Sequence, residues 1–334
     1  MKAFVLLSGG LDSVLAAQLV KEQGIQVTAV YFAIPFCSRA QLSSYGCPDA
    51  LRRSAQDLGV ELKVISIADD FLKIVENPRH GFGSHVNPCI DCKILMLRKC
   101  KEMMEQGKAS FVATGEVLGQ RPMSQHKGAL ARIEQDSGLE GLVLRPLCAK
   151  LLPPTIPEKE GWISREKLLA FNGRSRRPQM ELAKKFNLSE YKTPAGGCLL
   201  TDPMFARKVK DLLRQKEFNL HNVELLKCGR HFRVSTHARL VVGRDEKEDE
   251  RLLGLALQGD YIFLPTDTVA GATALGRGVF DEKSLGLACK ILGRYFDLNG
   301  KLAAQIVYRR FPEQDEKTAT VEVFSDSQIA EYRI

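Results

Sequence analysis

The sequence predicts an α/β protein: a parallel sheet flanked by helices, then a basic, mostly helical middle segment, then an α+β tail. Short apolar runs alternate with amphipathic stretches as far as residue 114, the pattern of repeated strand–helix units. A glycine turn follows the first apolar run directly, as where a strand meets a helix in such sheets. The net charge of +8 is carried almost wholly by one block in the middle of the chain.

Residues 3–7 form the first apolar run, residues 8–13 the turn, and an amphipathic stretch reaches residue 23. A second strand is expected over 26–32 and a second helix over 48–58. A third strand over 62–67, a helix over 93–105 and a fourth strand over 111–114 follow. Ligands of a sheet of this kind sit beyond the carboxyl ends of its strands. The pattern changes at residues 151–157, where three prolines in five residues exclude regular structure. Residues 162–187 read as helical and basic, a glycine turn falls at Gly196 and Gly197, and residues 207–215 read as a further basic helix. Beyond residue 218, short strands are expected at 232–234 and 239–242, a helix at 248–258, and closing strands at 303–308 and 318–324. Three domains are expected: 1–150, 151–216 and 217–334.

At 334 residues the chain exceeds one typical domain, and its 44% hydrophobic and 26% charged residues argue against disorder. No apolar run reaches the roughly 18–20 residues of a membrane span. Residues 1–7 are too short for a signal peptide, so a cytoplasmic protein without membrane association is expected. Nine cysteines, an odd number without the spacing of a disulfide scaffold, read as thiols in a reducing compartment. Lys and Arg exceed Asp and Glu by one in residues 1–144 and by nine in 145–216, and fall short by two in 217–334. A basic block between two near-neutral ones is the footprint of a polyanion-binding surface, and equally of a solvated basic face.

The turn reads Ser8-Gly9-Gly10-Leu11-Asp12-Ser13. Two glycines let the backbone approach an anion closely, and the following helix begins with free N–H groups and a positive dipole end. Ser8 and Ser13 add hydroxyl donors, and the Asp12 carboxylate suits a Mg²⁺ on a pyrophosphate. A plain glycine turn with a capping serine would use the same residues. The string resembles the SGGxDS signature of the PP-loop ATP pyrophosphatases, the adenine nucleotide alpha hydrolase-like fold. It is not a Walker A loop, because no Gly-Lys-Ser/Thr follows. The resemblance implies ATP cleaved between its α and β phosphates, with residues 8–13 around the nucleotide. It adds Phe32 at the end of the second strand and Gly115 after the fourth.

Asn87-Pro88-Cys89-Ile90-Asp91-Cys92-Lys93 places a CxxC at a helix start. Two thiols at that spacing can grip a metal, form a disulfide or exchange sulfur, and the helix start and Lys93 favour thiolate. Cys198, in Pro194-Ala195-Gly196-Gly197-Cys198-Leu199, is a third accessible candidate. A structural pair plus an unrelated buried cysteine is the alternative. Asn87 to Lys93 resembles the NPxxxC helix start of the tRNA 2-thiouridylases. With Cys198, the pair resembles the three-cysteine group of PP-loop tRNA thiolases, a set that includes 4-thiouridine synthases. That resemblance implies either a [4Fe–4S] cluster on Cys89, Cys92 and Cys198 or a persulfide with a resolving partner. Cys37, Cys47, Cys100, Cys148, Cys228 and Cys289 lack paired spacing and default to small buried hydrophobes, Cys47 being the one to watch.

Gly115 fits the close-approach glycine of the thiolases, but Glu116 stands where 2-thiouridylases usually carry histidine. Gln120, Arg121, Ser124, Gln125 and His126 are candidate contacts to ATP or RNA, or a solvated loop. His80, His85, His221, His231 and His237 make no ligand spacing. Arg174, Arg176 and Arg177 form the densest cationic cluster, a surface of the kind tRNA phosphates need. Residues 239–245 resemble a short stretch of the RNA-binding domain of ribosome quality-control factors. The expected function is ATP-dependent tRNA thiolation, with sulfur from a persulfide carrier or sulfide delivered through Cys89, Cys92 and Cys198. A PP-loop ligase or sulfur transferase acting on a small molecule without RNA is the first alternative. A non-catalytic RNA-binding module is the second.

Overall fold

The computed structural model describes residues 1–37, 49–188 and 198–334. Cys47, Gly196 and Gly197 lie outside them. The chain packs into two compact units, Met1–Asp202 and Pro203–Ile334.

The first unit runs β1 (Lys2–Leu6), α1 (Leu11–Lys21), β2 (Gln26–Ala33), α2 (Asp49–Asp57), β3 (Glu61–Ser66), α3 (Ala68–Glu76) and α4 (Cys89–Glu105). β4 (Phe111–Thr114), α5 (Lys127–Ser137) and β5 (Val143–Leu144) complete its sheet layer. The strands are all parallel, in the order β3-β2-β1-β4-β5. The chain leaves β1 toward β2 and later adds β4 on the other side, so the topological switch point lies between β1 and β4. A ligand crevice belongs beyond the carboxyl ends of those two strands.

Both faces of the inner strands β1, β2 and β4 are buried, which is why these strands read as continuous apolar runs rather than alternating ones. Ala3, Val5, Val27, Ala29, Tyr31, Phe111 and Ala113 pack on one face with Leu51 and Ala55 of α2. Phe4, Val30, Phe32 and Val112 face the other way, against Ile94, Leu97 and Cys100 of α4 and Ile133 of α5.

Residues 162–187, expected to be helical throughout, are mostly not. After α6 (Ile156–Lys159) only α7 (Arg177–Lys185) is α-helical; Arg165–Lys167 is a 3₁₀ turn. The stretch between is extended because its backbone is already engaged. Leu169 N donates to Pro146 O and Phe171 N to Leu147 O, at 2.9 and 2.8 Å, and Gly173 N donates to Leu118 O at 2.8 Å. Residues 151–157 are expected to be irregular, yet α6 starts at Ile156 with Pro157 in its first turn, where a missing N–H costs nothing. The described residues of the middle segment pack into clusters shared with the sheet layer and α1. Ile163 and Leu168 join the sheet-face cluster, and Ala183, Leu182 and Phe186 pack with Leu11, Leu15 and Leu19 of α1.

The second unit begins with α8 (Pro203–Arg214) and α9 (Leu220–Leu226). It continues through β6 (Arg230–Ser235), β7 (Ala238–Val242), α10 (Glu246–Gly254), β8 (Tyr261–Pro265), β9 (Ala274–Gly278), α11 (Glu282–Gly293), β10 (Ala303–Arg310), β11 (Lys317–Glu322) and α12 (Asp326–Ala330). Its strands form one antiparallel sheet in the order β11-β10-β8-β9-β7-β6. Phe232, Leu240, Phe263 and Ile306 pack against Ile291 and Leu292 of α11 on one face. Val241, Ile262 and Leu275 pack against Leu225 and Leu252 on the other. The expected α+β tail is therefore present. Among the described residues no helix is long and apolar enough to cross a membrane.

Candidate active site

Residues 8–13 close β1 onto α1 at the switch point. Gly9 has φ +72°, the left-handed region that a glycine enters without strain. The Ser13 hydroxyl donates to Gly10 O at 2.8 Å and accepts the Ser8 N–H at 3.2 Å, and Gly10 N–H donates to Ser8 Oγ at 3.4 Å. Gly10 precedes α1 without a side-chain cap, leaving the helix's first N–H groups for an anion. Leu11 is 1% exposed and packed with Leu15 and Val117, so only its backbone can serve a nucleotide. Phe32, expected beside the nucleotide, has its ring in the cluster against α4 and α5; strand alternation commits it to the core.

The loop after β4 runs against this turn. A Cβ on Gly115 would stand 2.5 Å from Asp12 C and Ser13 N, so no larger residue fits there without moving the turn. Gln120 Nε2 donates to Asp12 Oδ2 at 3.0 Å, and Arg176 Nη2 lies 3.9 Å from Asp12 Oδ1. Among the described residues, Asp12 Oδ1 and Arg176 Nε and Nη1 are buried without a hydrogen-bond partner. Buried groups of this kind are rare unless a ligand, ion or water completes them. The carboxylate oxygen calls for a cation and the guanidinium for an anion.

Arg174, Arg176 and Arg177, expected to form one RNA surface, are divided in the structure. Arg174 is exposed and Arg177 projects outward, its side chain 87% exposed and paired with Glu181 at 3.1 Å. Arg176, directly before α7, turns inward to Asp12, because residues 172 and 173 dock on the loop at Leu118.

The same loop continues from the phosphate turn to the cysteines. Cys89 Sγ donates to Ser124 Oγ at 3.4 Å, with Ser124 fully buried. Cys89, Cys92 and Cys198 lie close enough that the charge of one opposes the ionisation of another. Arg121 and Lys93 carry the positive charge near them. Desolvation dominates nonetheless. It pushes the Cys92 thiol well above its ordinary range and Cys198 up to about 12, so the helix start and Lys93 do not secure the thiolates expected there. Burial also lowers Lys93 to about 8.

Cys37 joins this neighbourhood. It faces Cys198 across an isolated antiparallel bridge and adds to the field that raises that thiol. The default of a buried hydrophobe holds for Cys100, Cys148, Cys228 and Cys289 but not for Cys37, which is partly exposed. No local spacing marks it, since the bridge joins segments far apart in sequence. Three cysteines with basic neighbours are the donor type that iron–sulfur clusters use, so the residues fit by chemistry. In this conformation, among the described residues, no group of three or more His, Cys, Asp or Glu is drawn together to hold a metal ion.

Glu116 is structural. It pairs with Lys93, accepts from Arg145 Nε at 3.0 Å and from Thr114 Oγ1 at 3.1 Å, and Arg145 pairs onward with Glu134. This buried network fixes the start of α4 against the loop after β4, and Arg145 carried no sequence signal. His80 bridges Asp91 at 2.7 Å and Asp136 at 2.9 Å, and His126 caps α5 by accepting the Ala129 N–H at 3.3 Å. In the second unit Arg239 is 1% exposed, with Nη2 donating to Glu217 Oε2 at 3.2 Å; its position is internal.

Residues 1–137 match the family described as tRNA methyl transferase HUP domain, and residues 229–333 match the NFACT protein RNA binding domain. The chain is 34% identical over 122 residues to a probable tRNA sulfurtransferase of Methanosarcina acetivorans, a match covering 35% of this chain and 27% of the relative. It is 30% identical over 151 residues to the tRNA-specific 2-thiouridylase MnmA of Deinococcus radiodurans, covering 40% and 39%. The chain thus spans well under half the length of these relatives. Among solved structures, a 4-thiouridine synthetase–RNA complex with bound ATP aligns at 21% identity and a TM-score of 0.37, over 67% of this chain and 52% of that one. Residues 1–137 are thus similar in sequence to a HUP-domain family and to relatives named as tRNA thiolases, and residues 229–333 to an RNA-binding family.

Proposed function

We propose that this chain is an ATP-dependent tRNA thiolation enzyme: it adenylates a uridine carbonyl and replaces the oxygen with sulfur delivered through cysteines. One observation carries this reading. A single loop, residues 115–125, touches the phosphate turn through Gln120 and Asp12 and the cysteine group through Ser124 and Cys89. Activation and sulfur delivery must act on one carbon, and side-by-side sites at one sheet edge allow it.

The carbonyl oxygen attacks the α-phosphorus, the bond to the β-phosphate breaks, and pyrophosphate leaves. Residues 8–13 and the start of α1 hold the departing phosphates. Asp12 would hold a Mg²⁺, which when bound would offset the charge of the leaving pyrophosphate, and Arg176 donates to the phosphate oxygens. A sulfur nucleophile then adds to the activated carbon, and AMP departs with the former carbonyl oxygen. Adenylation is needed because a carbonyl oxygen leaves poorly and AMP leaves well. One of Cys89, Cys92 and Cys198 takes the outer sulfur of a persulfide carrier as the carrier's thiolate leaves. Once that sulfur has bonded to the base, a second cysteine attacks the first and frees the thiouridine as their disulfide forms. The three cysteines are also the residues that would hold a [4Fe–4S] cluster, which when bound supplies an iron site for sulfide. Arg174, Arg177 and the 229–333 unit take the tRNA phosphates.

The test is incubation with ATP and unmodified tRNA, with nucleoside mass spectrometry on tRNA from a deletion strain. AMP and pyrophosphate are expected, together with loss of one thiouridine in the deletion strain. Release of ADP and phosphate would sink the reading. Full-rate pyrophosphate release without RNA would move the enzyme to the small-molecule ligases.

A further inference from the structure

We propose that Cys37 and Cys198 form a reversible cross-strand disulfide site, a redox modification that withdraws Cys198 from the cysteine group. The two residues are opposed in an antiparallel bridge, and the flanking Leu199 N–H donates to Phe36 O at 2.8 Å. This hydrogen bond flanks the cysteines instead of joining them, which makes Cys37 and Cys198 a narrow, non-hydrogen-bonded pair. Cα atoms in such pairs stand about 4.5 Å apart, with side chains on the same face of the ribbon. That spacing lies inside the roughly 4.4–6.8 Å a disulfide spans.

Both backbones are anchored on one side. Phe36 is fully buried with its ring 5.7 Å from that of Phe71. Leu200 is fully buried, accepts the Val86 N–H at 3.3 Å, and follows Cys198, whose carbonyl accepts from Thr201 Oγ1 at 2.7 Å. Both cysteines are free and neither residue is fully buried. Cys100, Cys148, Cys228 and Cys289 are buried instead.

The reaction balances by exchange with a small disulfide. Cys37 Sγ attacks one sulfur of R–S–S–R and expels RS⁻, giving a mixed disulfide on Cys37. Cys198 Sγ then attacks Cys37 Sγ, and the Sγ–Sγ bond forms as the second RS⁻ leaves. The protons of the two thiols pass to the departing thiolates. Two cysteines are oxidised, one small disulfide is reduced to two thiols, and excess small thiol reverses the reaction. The bond stands on the geometry alone. Its consequence, that sulfur delivery stops while adenylation continues, rests on the proposed thiolation reaction.

The test uses the full chain equilibrated across ratios of reduced to oxidised glutathione, trapped with N-ethylmaleimide, digested without reductant and mapped by mass spectrometry. A peptide joining Cys37 to Cys198 is expected, gained with oxidation, lost on reduction and absent from Cys37→Ser. Wild-type thiolation should fall as that peptide rises, with pyrophosphate release retained. Cys37→Ser should thiolate normally in reducing buffer and resist the same oxidising ratio. Its pyrophosphate release reports that it is folded. A disulfide from Cys198 to Cys89 or Cys92 only, or no linkage to Cys37 at any ratio, overturns the site. Loss of thiolation by Cys37→Ser under reducing conditions overturns the regulatory assignment. If even the reduced wild type fails to thiolate tRNA, the proposed function fails while the mapped linkage still decides the site.

Discussion

Among the described residues, Asp12 and Arg176 each have buried polar atoms without a hydrogen-bond partner, and under the proposed function each makes a separate prediction. Asp12→Ala should abolish ATP-dependent pyrophosphate release while circular dichroism shows an intact fold; wild-type release would remove the carboxylate from the reaction. Arg176→Ala should lose charge-assisted hydrogen bonds worth about 1.5–3 kcal/mol, a roughly 10- to 100-fold loss in affinity for inorganic pyrophosphate. AMP affinity should hold and Arg176→Lys should recover part of the loss; equal weakening of both ligands would mark Arg176 as a structural residue. At the cysteines, single Cys→Ser changes at Cys89, Cys92 or Cys198 should abolish thiolation and spare pyrophosphate release. Anaerobically purified wild type should carry iron and sulfide. Thiolation by any single variant, or protein that thiolates without iron, would retire the three-cysteine or the cluster reading respectively.

Among elements, α7 offers two faces to different partners. Its preceding residue Arg176 turns inward, while Arg177 and the exposed Arg174 face solvent. Changing Arg174 and Arg177 to Ala should weaken tRNA binding and reduce the log–log salt slope by nearly one unit for each phosphate no longer neutralised. An unchanged slope would make this a solvated face. The inward turn of Arg176 was illegible because Arg174, Arg176 and Arg177 look alike in sequence; docking of residues 172–173 on Leu118 decides it. The strands β1, β2 and β4 were legible because burial on both faces makes them continuous apolar runs, whereas the edge strand β3 has no fully buried residue. β9 was not, since Ala274–Gly278 carries two glycines and an arginine. That arginine, Arg277, is neutralised by Asp260, at 2.7 Å across the fold. The phosphate turn and the CxxC were readable as local strings, whereas Cys37 and Arg145 owe their places to partners distant in sequence.

Across the whole molecule, buried thiols set the alkaline limit of stability. Burial pushes Cys100 in the first unit and Cys289 in the second up to about 12. An unfolded thiol ionises near 8.5, so above that pH the unfolded chain releases protons the folded chain keeps. Stability is then full below the unfolded value and falls as pH rises toward 12. Lys93, lowered to about 8, contributes the opposite sign between about 8 and 10.5, and Arg239, lowered to about 10, does so from there upward, but they are two groups against several raised thiols. Urea midpoints should drop between pH 8.5 and 10.5, and Cys100→Ala should flatten that drop; an unaltered slope would refute the account. The central position of β1 has a consequence for the protein's birth. Ala3 pairs with Val27 on one side and with Phe111 on the other. At ~5–20 residues per second, translation leaves β1 on the order of ten seconds without its second neighbour. For that interval an apolar strand has one open edge, a template for pairing with another chain. The nascent polypeptide therefore needs shelter before it has any chemistry to perform.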